Sequence, residues 1–223
     1  MEEVKLFRIW SSPYSLRVVC ALKLKGIAYE AIYEDLSNKS PSLVKHNHVH
    51  RKIPVLVHNG KPVCESLFIL EYMDKTWKQT PLLAEDPHQK AMARFWVRFG
   101  EDKVLQSIRF WCSFDRRERT TRSNTYLQNL KYLEEELRGK KFFGGEKIGL
   151  VDLALGWPAY YLEIYEEMSG AKLIDQEKFP LLIAWMQEFS DIPIIQESWP
   201  PRDKLIAKLT AAREASLSKG DPK

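Results

Sequence analysis

Cysteine is scarce in this chain. Cys20, Cys64 and Cys112 are few, far apart and odd in number, which excludes a disulfide framework and reads as reduced thiols. The cytosol is therefore the expected compartment. Long hydrophobic runs are lacking as well, and no stretch approaches the ~18 apolar residues of a membrane span. The opening Met1-Glu2-Glu3 is acidic, and Lys5 and Arg8 interrupt the first apolar stretch, so nothing reads as a secretory signal. Neither sign of charge dominates: 34 basic residues face 30 acidic ones, for a net charge of +4. That balance gives no argument for nucleic acid, and the local cluster Arg116, Arg117, Arg119 and Arg122 reads as a solvated helix end or loop. Internal repeats and low-complexity tracts are also missing.

What is present is the composition of a globular protein with a sizeable core. The 223 residues are 44% hydrophobic and 29% charged, enough for one large domain or two small ones. Val4 to Trp10 carries apolar groups on both faces and reads as a strand covered on two sides. Ser12-Pro13 then starts a helix, with Ser12 as N-cap and Pro13 first, ended by Gly26. Ala28 to Glu34 is a second strand, so the opening is a parallel strand-helix-strand unit. Asp35 to His50 is polar and loop-like. Val55–His58 and Pro62–Cys64 flank Asn59-Gly60, a strong hairpin signal, and a helix follows from Ser66 with Ile69, Leu70, Met73 and Trp77 on one face.

That order is a thioredoxin-like layout over residues 1–78. Prolines recur and periodicity stops across 79–88, which reads as a linker. Residues 89–223 hold only helical patterns, so the expected fold class is an α+β thioredoxin-like N-terminal domain followed by an all-α C-terminal domain. Asp86-Pro87-His88-Gln89 opens the first of these helices, with the stripe Met92, Phe95, Trp96 and Phe99. Tyr126 to Leu137 is a second, and Leu182 to Phe189 and Leu205 to Ala212 are later ones. Val151 to Tyr165 reads as a single helix kinked at Pro158.

Residues 51–66 give the first hint of a ligand. Ile53-Pro54 precedes an apolar strand at a place suited to a cis bond, which would turn the Ile53 backbone outward toward an extended peptide. Lys52 adds a cation, and Glu65-Ser66 opens a helix whose first amides suit a carboxylate. Together they point to a small, charged, peptide-like ligand. Ser12, at a helix N-terminus after a strand, is placed to donate to a bound thiolate, although local sequence alone favours an ordinary N-cap serine, since Ser-Pro before a helix is common. A nucleophilic serine would need a histidine base and an orienting carboxylate, and none of His46, His48, His50, His58 and His88 lies in a hydrolase setting. The alternation of His46, His48 and His50 has no Cys or carboxylate of ligand-like spacing beside it, so no metal is expected.

Several stretches carry a resemblance beyond this reading. They are Trp10-Ser11-Ser12-Pro13-Tyr14 with Arg17, Lys23-Leu24-Lys25-Gly26-Ile27 and Asp35-Leu36-Ser37-Asn38-Lys39-Ser40-Pro41. Further along are Lys52-Ile53-Pro54-Val55-Leu56, the run His58 to Ser66, and the run Gly144 to Asp152. In these the chain resembles a cytosolic glutathione transferase of the plant tau class, across both halves and in order. The resemblance implies that Ser12 activates the glutathione thiol. It implies that Lys39 and Lys52 meet the glycine carboxylate of glutathione, that Ile53 pairs its backbone beside a cis Pro54, and that Glu65 and Ser66 hold the γ-glutamyl group. Gly149 and Asp152 resemble the family's structural capping box in the second domain.

The same likeness implies that Trp111, Tyr161 and Leu205 line an electrophile site, with Tyr14, Ile108 and Leu209 nearby; plain helical core is the alternative for those in the second half. Three positions depart from the common pattern: Tyr14 where phenylalanine is usual, His48 for a frequent proline, and Ile108 for an arginine of some members. The implied activity is conjugation of glutathione, as co-substrate with no cofactor, to hydrophobic electrophiles in detoxification or stress. Peroxidase activity toward organic hydroperoxides needs only the same thiolate. A non-enzymatic carrier of apolar ligands is an alternative on the same cavity. Thiol transfer or dehydroascorbate reduction is another, but that chemistry calls for cysteine at position 12. A homodimer is the implied assembly.

Overall fold

Four short strands, β1 (Val4–Arg8), β2 (Glu30–Tyr33), β3 (Val55–His58) and β4 (Lys61–Cys64), form one mixed sheet in the order β2-β1-β3-β4. The computed structural model describes residues 2–106, 108, 116–170 and 172–219. β1 and β2 run parallel, with Leu6 opposite Ala31, and are joined by α1 (Pro13–Leu24), as a parallel pair requires. β3 is antiparallel to both β1 and β4, and the β3-β4 turn uses Asn59 and Gly60 with φ of 48° and 77°, the left-handed pair that a tight hairpin favours.

The chain divides into two compact units. The first is Met1–Ala84 with Pro193–Trp199. Its sheet is covered by α1 and α3 (Ser66–Thr76), which bury Val18, Leu22, Ile69, Leu70 and Met73, and by α2 (Pro41–His46), which buries Leu43 against Phe7, Val55 and Val57. α2 corrects the loop expected over Asp35–His50. Ser40 caps it through its hydroxyl, which accepts from Leu43 N at 3.0 Å, and Pro41 is its first residue. The segment Pro193–Trp199, read from sequence as part of the helical half, clusters with this first unit. Its short helix α9 (Pro193–Gln196) buries Ile195, and Glu197 pairs with Lys23 of α1 at 3.7 Å.

Buried Lys25 closes the first unit. Its amine reaches Asp74 Oδ1 at 3.1 Å and the carbonyls of Trp77 and Thr80 at 2.9 Å, so the segment leaving α3 is held to the end of α1.

The second unit, Glu85–Ile192 with Pro200–Lys223, is helical. It contains α4 (Pro87–Phe99), a π-helical turn (Gly100–Leu105), α5 (Arg116–Glu136), α6 (Leu150–Leu155), α7 (Pro158–Ser169), α8 (Pro180–Ser190) and α10 (Arg202–Lys219). Tyr126, Leu130 and Leu133 of α5, and Leu137 just after it, are buried, as are Leu182, Trp185 and Phe189 of α8. The single kinked helix expected over Val151–Tyr165 is two helices. α6 stops at Leu155, and Pro158 is the first residue of α7, where its missing N–H costs nothing. Gly156 between them permits close packing, since a Cβ there would lie 2.4 Å from the Phe189 ring. The α4 stripe is only partly covered: Trp96 and Phe99 are half-buried, whereas Met92 and Phe95 face outward.

Candidate functional site

Ser12 ends the turn after β1 and caps α1. Its hydroxyl oxygen accepts from Ser15 N at 3.2 Å, a bond that uses the oxygen's lone pair and leaves the hydroxyl hydrogen for another acceptor. The side chain is half-buried at the positive end of a 12-residue helix, where an anion is favoured. Tyr14 follows, also half-buried, and the Arg17 guanidinium lies 4.9 Å from its ring centre. Arg17 is buried and donates from Nη1 to Ser66 Oγ at 3.2 Å. One arginine thereby ties the start of α1 to the start of α3.

Ser66 is the first residue of α3. Glu65 before it is exposed, with φ at 68° and no side-chain bond to its own helix, so its carboxylate is not spent on capping. Such a φ is uncommon for a residue with a side chain. Cys64, the next residue back, points its thiol at His46 O, 3.7 Å away. Burial, then the Glu65 charge, push that thiol above its ordinary pKa.

The Ile53–Pro54 bond is cis, and half-buried Ile53 packs on the cluster of Phe7, Leu43, Val55 and Val57. Lys52 is exposed, and its carbonyl accepts from Asn47 Nδ2 at 3.0 Å. Asn47 is buried. It also accepts from His50 N at 3.1 Å through Oδ1 and from Arg51 N at 2.8 Å through its carbonyl. This asparagine shapes the whole approach to Lys52, and sequence reasoning missed it; the signal was a lone amide in a polar stretch that must turn. Lys39 is exposed beside Ser40, whose N and Oγ donate to the Glu34 carboxylate at 3.0 and 2.6 Å. Glu34 therefore fixes the loop that carries Lys39, a second role not read from sequence. Neither lysine has an ion-pair partner among the described residues.

The histidines take separate roles. His46 bonds through Nδ1 to Ser42 O at 2.9 Å, and His58 sits between Tyr72 OH and the Glu2 carboxylate, each 2.6 Å away. Among the described residues no group of three His, Cys, Asp or Glu side chains is placed to hold a metal ion, and no helix is long and apolar enough to cross a membrane.

Comparison with known proteins meets this geometry from outside. The family models "Glutathione S-transferase, N-terminal domain" and "Glutathione S-transferase, C-terminal domain" match residues 2–75 and 89–193. A probable glutathione S-transferase of Glycine max is 46% identical, with 96% of each chain covered. Glutathione S-transferase U8 of Arabidopsis thaliana is also 46% identical, covering 94% of this chain and 95% of its own. The crystal structure of a tau class glutathione S-transferase from mango superposes with a TM-score of 0.87 at 36% identity, covering 94% of this chain and 98% of that one. A rice relative solved in complex with glutathione gives 0.86 at 33% identity, covering 96% and 97%. The chain belongs to the glutathione S-transferases, in their tau class.

In this glutathione S-transferase the positions assigned to the electrophile have varied settings. Trp111 lies outside the described residues. Ile108 is buried in the second unit. Tyr161 is buried edge-on to Trp157, with ring centres 5.4 Å apart. Leu205 is buried and Leu209 half-buried on α10.

Asp152 of the second unit is fully buried. It accepts from Phe143 N and Trp185 Nε1 on Oδ1, both at 2.8 Å, and from Gly144 N at 3.0 Å and Gly149 N at 2.8 Å on Oδ2. Glycine has no side chain to return the bond, so only the Asp152 half of the reciprocal capping box forms. Burial raises the Asp152 pKa against the downward pull of those four donors.

Proposed function

We propose that this chain conjugates glutathione to hydrophobic electrophiles, with Ser12 donating a hydrogen bond to the glutathione thiolate. The observation that carries the reading is the Ser12 hydroxyl: its oxygen caps α1 and its hydrogen stays uncommitted at a helix N-terminus. Each pKa unit taken off the thiol corresponds to about 1.4 kcal/mol, within the range of one charge-assisted hydrogen bond. Exposed Lys39 and Lys52 suit the glycine carboxylate, the backbone of Ile53 beside Pro54 suits the cysteinyl part, and Glu65 with Ser66 suits the γ-glutamyl end. Tyr14, Ile108, Trp111, Tyr161, Leu205 and Leu209 are the proposed electrophile contacts.

Glutathione is a co-substrate here, and the residues call for no other cofactor. Exposed Met92 and Phe95 on α4 favour a homodimer that covers them, and the cytosol is the compartment that suits reduced thiols. Serine at position 12 disfavours thiol transfer, while peroxidase turnover stays open to the same thiolate. The test is a panel of electrophiles and hydroperoxides assayed with glutathione in wild type and Ser12→Ala. The variant is expected to lose most conjugation while glutathione affinity and fold stay near normal. Unchanged turnover of an aromatic halide by Ser12→Ala would refute the assignment.

A further inference from the structure

Ser66 is buried, and its Oγ accepts a hydrogen bond from buried Arg17 Nη1 at 3.2 Å. A hydroxyl has two lone pairs and one hydrogen. With a donor already on one lone pair, the hydrogen is the group Ser66 has to give, and among the described residues it has no acceptor. Ser66 is also the first residue of α3, where a backbone N–H has no partner within the helix. One residue therefore offers two donors at the positive end of an 11-residue helix, and a carboxylate suits both.

The identity of the group behind Ser66 decides which way that hydroxyl works. A guanidinium keeps its charge and can only donate, so Ser66 has no means of donating inward to it. The bond fixes the polarity of the hydroxyl as well as its place. A charged donor on the oxygen also strengthens the hydrogen bond given on the other side. Because the cation is buried, salt screens its field weakly. The same guanidinium stands 4.9 Å from the Tyr14 ring centre, which holds it from the α1 side. Exposed Glu65, whose carboxylate makes no bond to its own helix, completes a pair that matches an ammonium and a carboxylate on one carbon.

We propose that Arg17 is a positioning residue for the γ-glutamyl end of glutathione: acting through Ser66, it turns that hydroxyl hydrogen toward the ligand and so selects a carboxylate there. The proposal rests on the reading of Glu65 and Ser66 as the γ-glutamyl subsite. It adds that carboxylate selection at the start of α3 originates on α1.

The test is calorimetric binding, without turnover, of S-hexylglutathione and of the same molecule lacking the α-carboxylate of its glutamyl residue. Both probes carry the same alkyl chain, so a disturbance at Tyr14 affects them alike. Arg17→Met, which removes the donor, is expected to weaken S-hexylglutathione about 3- to 10-fold, the effect of one hydrogen bond, and to leave the truncated probe within about twofold. In a Ser66→Ala background the same change should alter S-hexylglutathione binding less than twofold, because the group through which Arg17 acts is gone. If Arg17→Met does not fold, Arg17→Lys, which keeps the charge, goes through the same comparison, with its loss again confined to the probe bearing the carboxylate. Equal weakening of both probes, or an undiminished loss in the Ser66→Ala background, would overturn the proposal and leave Arg17 a packing role. Wild type that binds neither probe would overturn the glutathione reading itself, and the proposal with it.

Discussion

Asp152→Asn removes one charge and almost no volume, so its cost isolates the hydrogen bonds. Each carboxylate oxygen of Asp152 accepts two bonds: Oδ1 from Phe143 N and Trp185 Nε1, Oδ2 from Gly144 N and Gly149 N. Whichever way the asparagine amide is turned, its NH₂ group faces two donors. Two buried donors left unmet at roughly 1–3 kcal/mol each give an expected loss of about 2–6 kcal/mol. Asp152→Ala abandons all four, but a water can enter the space left, and about 3–5 kcal/mol is expected. Against a typical total stability of about 5–15 kcal/mol, either change is severe. Urea unfolding at fixed protein concentration should show a lower midpoint with an unchanged m-value.

The pH dependence has a definite sign. Because burial raises the folded pKa above the unfolded value, the Asp152 contribution is full below about pH 4 and is lost as pH rises through the folded pKa. The penalty of Asp152→Asn should therefore shrink from acid to neutral pH. A loss under about 1 kcal/mol would refute the assignment of four working bonds to this carboxylate.

Three further outcomes are expected. Lys25→Met leaves the Asp74 carboxylate with only Leu82 N and strands the Trp77 and Thr80 carbonyls, so a loss of about 3–5 kcal/mol should appear in denaturant unfolding, with proteolysis between residues 77 and 82. Gly144→Ala would put a Cβ 2.5 Å from Lys147 O and 2.8 Å from Gly149 N; the loop must shift, and a drop in melting temperature without change in the Ser12 region's backbone spectrum is the expected signature. The Cys20 thiol is buried and pushed up to about 12, so alkylation at pH 8 should track unfolding; labelling of the folded protein as fast as a free thiol would contradict this.

Local rules were legible wherever one short stretch determines the outcome. Ser12-Pro13 and Asp86-Pro87 announce helix starts by a side-chain cap followed by a residue that needs no N–H, and both caps form, at 3.2 and 2.8 Å. Ser40-Pro41 carries the same device, and only the polar residues around it hid α2. Leu43 is the single buried side chain of that helix, too little for an apolar periodicity to show. Pro158 misled for the opposite reason: continuous apolar spacing across Val151–Tyr165 looked like one helix, whereas proline at a first position begins a new one.

The candidate site was legible as residue types and as an order along the chain, but its internal ties were not. Arg17 and Ser66 stand 49 positions apart, and only the packing of α1 beside α3 brings the guanidinium to that hydroxyl. Asn47 and Glu34 act on backbone groups of a loop whose path no periodicity encodes. A buried polar side chain is satisfied by partners that the fold supplies, so its role follows from tertiary structure and not from spacing. The same reasoning gives the α4 stripe its meaning. Met92 and Phe95 obey the helical period and yet face outward, so the pattern correctly identified an apolar face and said nothing about what covers it. If the homodimer covers that face, Phe95→Glu should dissociate it in sedimentation experiments while each chain keeps its helical content. A dimer unaffected by that charge would place the interface elsewhere and leave the exposed stripe for another partner.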